Sequence, residues 1–168
     1  MTLIESLVAI SILLVVAAAV MSSAQGGLSA TYASGDTITA YYLAQEANEY
    51  IRNTRDSNTL TDGAEWDRYL EDCIDSGCQV DTTLEPSAGG LEECSPGEED
   101  GCRLFYNEDT HRYGHQEGAE TSESQFKRYV ELTRLGDDEL RVTTTIEWRM
   151  GVRERSISLE SLIFNWNQ

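Results

Sequence analysis

The clearest pattern in the chain is a nearly continuous apolar run over positions 1–24. At a rise of about 1.5 Å per residue, a helix of roughly 20 residues spans about 30 Å, the thickness of the hydrocarbon core of a bilayer. The run contains one charged side chain, Glu5, and the first basic residue of the chain is Arg52. The pattern therefore predicts a membrane-spanning helix that carries a carboxylate. Burying that carboxylate costs on the order of 2.5–3.5 kcal/mol at a membrane centre, so Glu5 needs a positively charged partner.

Helical spacing continues beyond the apolar run. Apolar side chains recur near a 3.6-residue period at Leu28, Tyr32, Leu43, Ala47, Tyr50 and Ile51. We predict one long helix with an apolar half, 1–25, and an amphipathic half, 26–57. Gly26, Gly27 and Gly35 lie in the second half. Each internal glycine costs about 1 kcal/mol relative to alanine, which predicts a kink or an unwound turn at these positions.

The remaining chain changes to turns and strands. Turn residues and acids dominate 58–125, so we predict exposed loops with a short helix at 64–70 and a short strand at 103–106. Residues 126–168 alternate between apolar and polar positions and predict an antiparallel β-meander. The amphipathic helix half would cover one face of that sheet. The predicted fold class is α+β, a long N-terminal helix packed on a C-terminal antiparallel sheet, with disulfide-bearing loops.

The lack of flanking basic residues limits what the apolar run can be. A secretory signal peptide begins with a basic region, and a signal anchor carries Lys or Arg on its cytoplasmic side. Neither feature is present before Arg52. Removal of a basic leader would explain both absences. We therefore expect Met1 to be a processed N-terminus, with an initiator methionine as the alternative.

The start of the chain resembles a known family. Thr2-Leu3-Ile4-Glu5-Ser6-Leu7-Val8-Ala9 is similar to the processed N-terminus of type IV pilins and type II secretion pseudopilins. In that family a leader peptidase cuts before the first residue, which is then N-methylated and is usually Phe, whereas this chain has Met1. Ser6 replaces the usual aliphatic residue, and Ser22 stands near the position of a frequent helix-breaking proline.

The resemblance implies a pilin fold and a filament subunit. Such a subunit is stored in the inner membrane, cut by the prepilin peptidase, and assembled by the pilus machinery into an extracellular helical filament of identical subunits. Glu5 and Met1 would be the assembly residues, because the Glu5 carboxylate would neutralise the N-methylated amine of Met1 in a neighbour. Two unit charges about 4 Å apart attract by roughly 4 kcal/mol at an effective dielectric of 20, comparable to the burial cost. The alternative is a lone glutamate near a membrane surface.

Four cysteines predict two disulfides. Their spacing is not the C-x-x-C of zinc ribbons or thioredoxin-like proteins. An exported head lies in an oxidising compartment, where disulfides persist. We favour Cys73–Cys78 and Cys94–Cys102, because each pair closes a short loop that contains a glycine turn. A crossed pairing that includes Cys78–Cys94 remains the alternative.

The net charge of −18 is concentrated in one region. Residues 61–125 hold 18 acids and 3 bases, a net of −15, and the rest of the chain has a net charge of −3. Nucleic-acid binding depends on Lys and Arg contacts to phosphate. We therefore expect no nucleic acid to bind the acidic head.

No constellation of residues predicts catalysis. The two histidines, His111 and His115, are not near a nucleophile, and we predict that both are exposed loop residues. We expect no enzymatic activity and no cofactor. Calcium is the one ion considered, because oxygen ligands cluster at 98–100 and 107–109, although EF-hand spacing is absent.

Three classes of function fit these patterns. The first, which we favour, is a structural pilin of an adhesive or motility filament. The second is a minor pilin or pseudopilin that primes or tips a pilus or a type II secretion filament. The C-terminal residues Trp148, Gly151 and 163–166 resemble the pattern of minor pilins and small pseudopilins. The third is a membrane-anchored domain that never polymerises, which leaves Glu5 unexplained.

Overall fold

The computed structural model describes residues 2–98 and 100–166. One helix, α1 (Leu3–Thr59), precedes seven strands. The strands are β1 (Gly77–Val80), β2 (Leu91–Glu93), β3 (Arg103–Asn107), β4 (Arg112–Gly114), β5 (Thr121–Gly136), β6 (Glu139–Met150) and β7 (Arg153–Phe164). All seven belong to one antiparallel sheet. The predicted fold class, a long N-terminal helix packed on an antiparallel sheet with disulfide-bearing loops, is confirmed.

The chain forms two compact units, Met1–Ile38 and Thr39–Gln168, which we call the N-terminal unit and the head. The predicted division of the helix into an apolar half, 1–25, and an amphipathic half, 26–57, stays a prediction. The described part of the N-terminal unit is helical from Leu3 onward. Its 18-residue apolar window has a mean hydropathy of 2.6 and no buried residue. By length and composition this helix can cross a membrane.

No unwound turn interrupts the described helix at the glycines, and flexibility at Gly26, Gly27 and Gly35 stays a prediction. Within Leu3–Thr59, all of which the structure describes, α1 continues without a break through Gly26, Gly27 and Gly35. A penalty of about 1 kcal/mol per glycine is too small to interrupt a helix that continues for several turns on both sides. The hydroxyl of Thr31 also donates to the Gly27 carbonyl at 3.0 Å, within the same segment.

The long strand β5 organises the head. On one edge it pairs with β3 at residues 121–127 and with β1 at 130–131, and on the other edge it pairs with β6. β7 pairs with β6 along its whole length. Short turns connect β5 to β6 and β6 to β7, and Gly151 adopts φ 63° in the second, a conformation that favours glycine.

The head part of α1 covers one face of the sheet, as predicted. Side chains about one helical turn apart are fully buried, including Ala40, Ala44, Ala47 and Ile51. They pack against inward-facing residues of the three long strands in two clusters. Each fully buried Leu, Ile or Val side chain contributes about 1.5–3 kcal/mol, so this interface is the main source of head stability.

The region 58–125 is more ordered than predicted. It supplies four short strands rather than one, and β5 begins at Thr121 rather than at 126. The predicted short helix at 64–70 is wrong. Tyr69 has φ 68°, and the Asn58 side-chain amide donates to the carbonyls of Trp66 and Arg68 at 3.2 and 2.6 Å, which holds the segment in turns.

Candidate functional site

Glu5 lies in the first turn of α1, on a fully exposed apolar surface. Its neighbours Leu3 and Ile4 are 80% and 72% exposed, and Leu7 is 58% exposed. Glu5 has no ion-pair partner within the described chain. Met1, its predicted partner in a neighbouring subunit, lies outside the described residues. The arrangement presents one carboxylate to whatever covers this apolar surface.

The disulfides are the two predicted pairs. Cys73–Cys78 and Cys94–Cys102 have Cα–Cα distances of 5.4 and 5.5 Å, and no cysteine of the chain is free. The first connects a 3-10 turn to β1, and the second closes the loop that leads into β3. These bridges hold segments that bury few apolar side chains.

Replacing both Cys94 and Cys102 by serine should lower the free energy of unfolding by about 2–3 kcal/mol, because the unfolded chain loses a closed loop. Urea titration of the full chain in detergent, followed by tryptophan fluorescence, measures the loss. Ser95→Ala, within the same loop, is the control and should leave stability unchanged. Peptide mapping that recovers a Cys78–Cys94 link from the starting chain would contradict the pairing.

A buried guanidinium joins the helix to the sheet. Arg128 on β5 is fully buried, and its Nη1 donates to Glu46 Oε2 at 2.8 Å and to the Leu43 carbonyl at 3.3 Å. Its Nη2 donates to the Val80 carbonyl at 2.6 Å. One side chain therefore connects α1, β1 and β5. Sequence reasoning assigned Arg128 no role, although its alternation with Phe126 and Val130 placed it on the inward face.

Asp81 and His115 extend this polar cluster. Burial alone would raise the pKa of Asp81, but hydrogen bonds from Thr83 and from the His115 backbone outweigh it and hold that pKa below its usual value. His115 Nδ1 lies 2.9 Å from the Arg103 carbonyl. The prediction of two exposed histidines is correct for His111 and wrong for His115, whose ring lies largely inside the head. Burial lowers the pKa of His115 to about 4, and the charge of Arg128 adds to the effect.

The head should lose stability as the pH falls from about 6.5 to about 4. The unfolded chain binds a proton at His115 near pH 6.5, whereas the folded head resists protonation until the pH falls to about 4. The contribution of neutral His115 to the free energy of unfolding is therefore complete above pH 6.5 and is lost as the pH falls to about 4. Thermal unfolding midpoints across the window should depend less on pH in His115→Asn than in the starting chain. His111→Asn is the matched control, and equal slopes for all three proteins would contradict the prediction.

Among the described residues, the carboxylates that come together are not those considered for calcium. Asp100 pairs with Arg103 at 2.6 Å, and the Asn107 side chain accepts bonds from Asp109 and Thr110. Glu99 lies outside the described residues. Glu65, Asp67 and Glu71 instead have ligand atoms within 4.8 Å of one another. Asp67 already pairs with Arg134 at 2.6 Å, so one of these three charges is neutralised.

Comparison of the chain with protein-family models, with curated proteins and with solved structures finds no match. The site itself therefore has to indicate the function. Its two parts are an exposed apolar helix with one carboxylate and an acidic head stabilised by two disulfides and a buried arginine.

Proposed function

We propose that this chain is a structural subunit of an extracellular type IV pilus-like filament, assembled from the inner membrane by packing of its N-terminal helix. The observation that carries the proposal is Glu5 on a helix surface that is apolar and exposed over its whole membrane-spanning length. Such a surface needs a cover, which is lipid before assembly and neighbouring helices afterwards. Lipid offers no partner for a carboxylate, whereas the terminal amine of Met1 in a neighbouring copy does.

The charges favour a register-setting role for this pair. A Glu5–amine attraction of roughly 4 kcal/mol at an effective dielectric of 20 is similar to the cost of burying the carboxylate. The pair therefore adds little net stability, but a packing shifted by one helical turn would leave both charges buried without a partner. Methylation of the Met1 amine, which we also propose, would keep its positive charge.

The head is suited to the outside of such a filament. Residues 61–125 carry a net charge of −15, which favours solubility and keeps neighbouring filaments apart. The disulfides of this region suit an oxidising exterior. These properties agree with a head that lies on the outside of a filament.

Electron microscopy of sheared, purified filaments, with mass spectrometry of their dominant subunit, tests the proposal. We expect filaments in which this chain is the main component, with one methyl group on the Met1 amine. A trace amount of the chain in filaments built from another protein would replace the structural role with that of a minor pilin or pseudopilin. A chain that stays in the membrane fraction under all conditions would refute both.

A further inference from the structure

The two ends of the head differ in charge. β6 runs the length of the head, and its 12 residues at about 3.4 Å each separate the turns at its ends by about 40 Å. The turn before β6 lies beside the end of α1, where Asn165 donates to Asp138 and Arg134 pairs with Asp67. The turn after β6 lies at the opposite end, beyond Trp148.

The turn after β6 forms a basic tip, residues 149–155, with three arginines and one glutamate. Arg149 pairs with Glu154 at 3.0 Å. Among the described residues, neither Arg153 nor Arg155 has an ion-pair partner. Val152, at the apex, is 99% exposed. The tip is thus an apolar apex beside two unpaired positive charges, on a chain whose net charge is −18.

The opposite end contains an acidic recess, a cavity of about 480 Å³ between the end of α1 and the turn before β6. Its charged lining residues are Asp62, Glu65, Asp67, Arg134 and Asp137. Because Arg134 pairs with Asp67, three carboxylates remain, and the described part of the chain holds no ion-pair partner for them. Leu60, next to the recess in sequence, is 77% exposed.

We propose that the basic tip of one copy docks in the acidic recess of the next, which forms a head-to-tail contact between subunits. Charge and shape are complementary, since a convex tip with two free arginines meets a concave site with three free carboxylates. A contact of tip with tip would place like charges together, so the interface must join different surfaces and can repeat along a polymer. That this contact occurs within a filament rests on the proposed function. The contact between two copies of the chain does not depend on it.

Charge exchange tests the contact. A photoreactive residue in the change Val152→p-benzoylphenylalanine should cross-link the full chain in detergent to a second copy within 59–67 or 134–138. Reversing the charges of either surface should lower the cross-link yield at least about tenfold. The tip variant is Arg153→Glu with Arg155→Glu, and the recess variant is Asp62→Arg with Glu65→Arg. All four changes together restore complementarity and should return the yield to within about threefold. Raising salt from about 0.05 to 0.5 M should lower the yield as well.

A matched variant and the identity of the cross-linked partner decide the outcome. The control variant, Arg112→Glu with Arg141→Glu, changes the net charge by the same amount as the double arginine variant of the tip. Its substitutions are at exposed strand positions, so it should leave the yield unchanged. An equal loss in that control, no recovery in the fourfold variant, or cross-links from position 152 only outside the recess would overturn the contact. Filaments that form with no cross-link in the recess would refute this contact and leave the proposed function standing. A cross-link to the recess in detergent, from a chain that makes no filaments, would support the contact and refute the proposed function.

Discussion

Glu5→Gln abolishes filament assembly in our expectation and leaves the head folded. The substitution keeps the size of the side chain and removes the charge that pairs with a neighbour's amine. Loss of an attraction of roughly 4 kcal/mol, with the amine left unpaired in an apolar core, weakens the packing of each added subunit by about three orders of magnitude. The effect should be the largest of any single change in the N-terminal unit.

The measurement is the amount of filament in the sheared fraction, counted by electron microscopy and by immunoblot of the subunit. Glu49→Gln is the matched control, because Glu49 is an exposed glutamate on the same helix whose one ion-pair partner among the described residues is Arg52. Circular dichroism of both variants in detergent should show an unchanged thermal midpoint. Glu5→Gln filaments in normal amount would refute the role of the charge pair.

Arg128→Ala should lower the free energy of unfolding of the head by about 3–5 kcal/mol. The change removes the donors that Arg128 supplies to the Leu43 and Val80 carbonyls, and it opens a cavity between helix and sheet. Glu46 contributes less to the loss, because its side chain is 45% exposed and water can solvate it once Arg128 is gone.

Urea titrations of three variants of the full chain in detergent separate the contribution of the Arg128 charge to stability from that of its side-chain volume. Arg128→Met fills most of the space and should recover part of the loss. Arg112→Ala, at an exposed arginine of β4, should stay within about 0.5 kcal/mol of the starting chain. An Arg128→Ala midpoint no lower than that of Arg112→Ala would show that the buried guanidinium does not stabilise the head.

The elements with regular patterns could be predicted from the sequence. β5 buries every second residue over 126–132, β6 does so over 140–148 with Thr145 buried as well, and β7 alternates between exposed and half-buried positions. Both turns between these strands contain glycine. The helix face that covers them has apolar residues at a helical spacing. The disulfide pairing could also be predicted, because short loops with glycine turns bring each pair of cysteines together.

The elements that depend on distant partners could not be predicted. β1 and β2 are four and three residues long, too short for alternation to show, and they exist because β1 pairs with β5 at Cys78 and Val130. The segment 64–70 has helical propensity, but the side chain of Asn58, which lies on α1, binds its carbonyls. His115 is buried through bonds to Arg103 and Asp81, which no local pattern indicates.

The order of the elements along the chain also has a consequence in time. The helix face that packs on the sheet ends by Thr59, whereas the long strands that cover it begin only at Thr121. At a synthesis rate of roughly 5–20 residues per second, the intervening 60 or so residues take about 3–12 seconds to appear. During that interval the apolar side of the helix is already made but has no native sheet to pack on. A nascent head therefore passes through a period in which binding by a chaperone competes with aggregation.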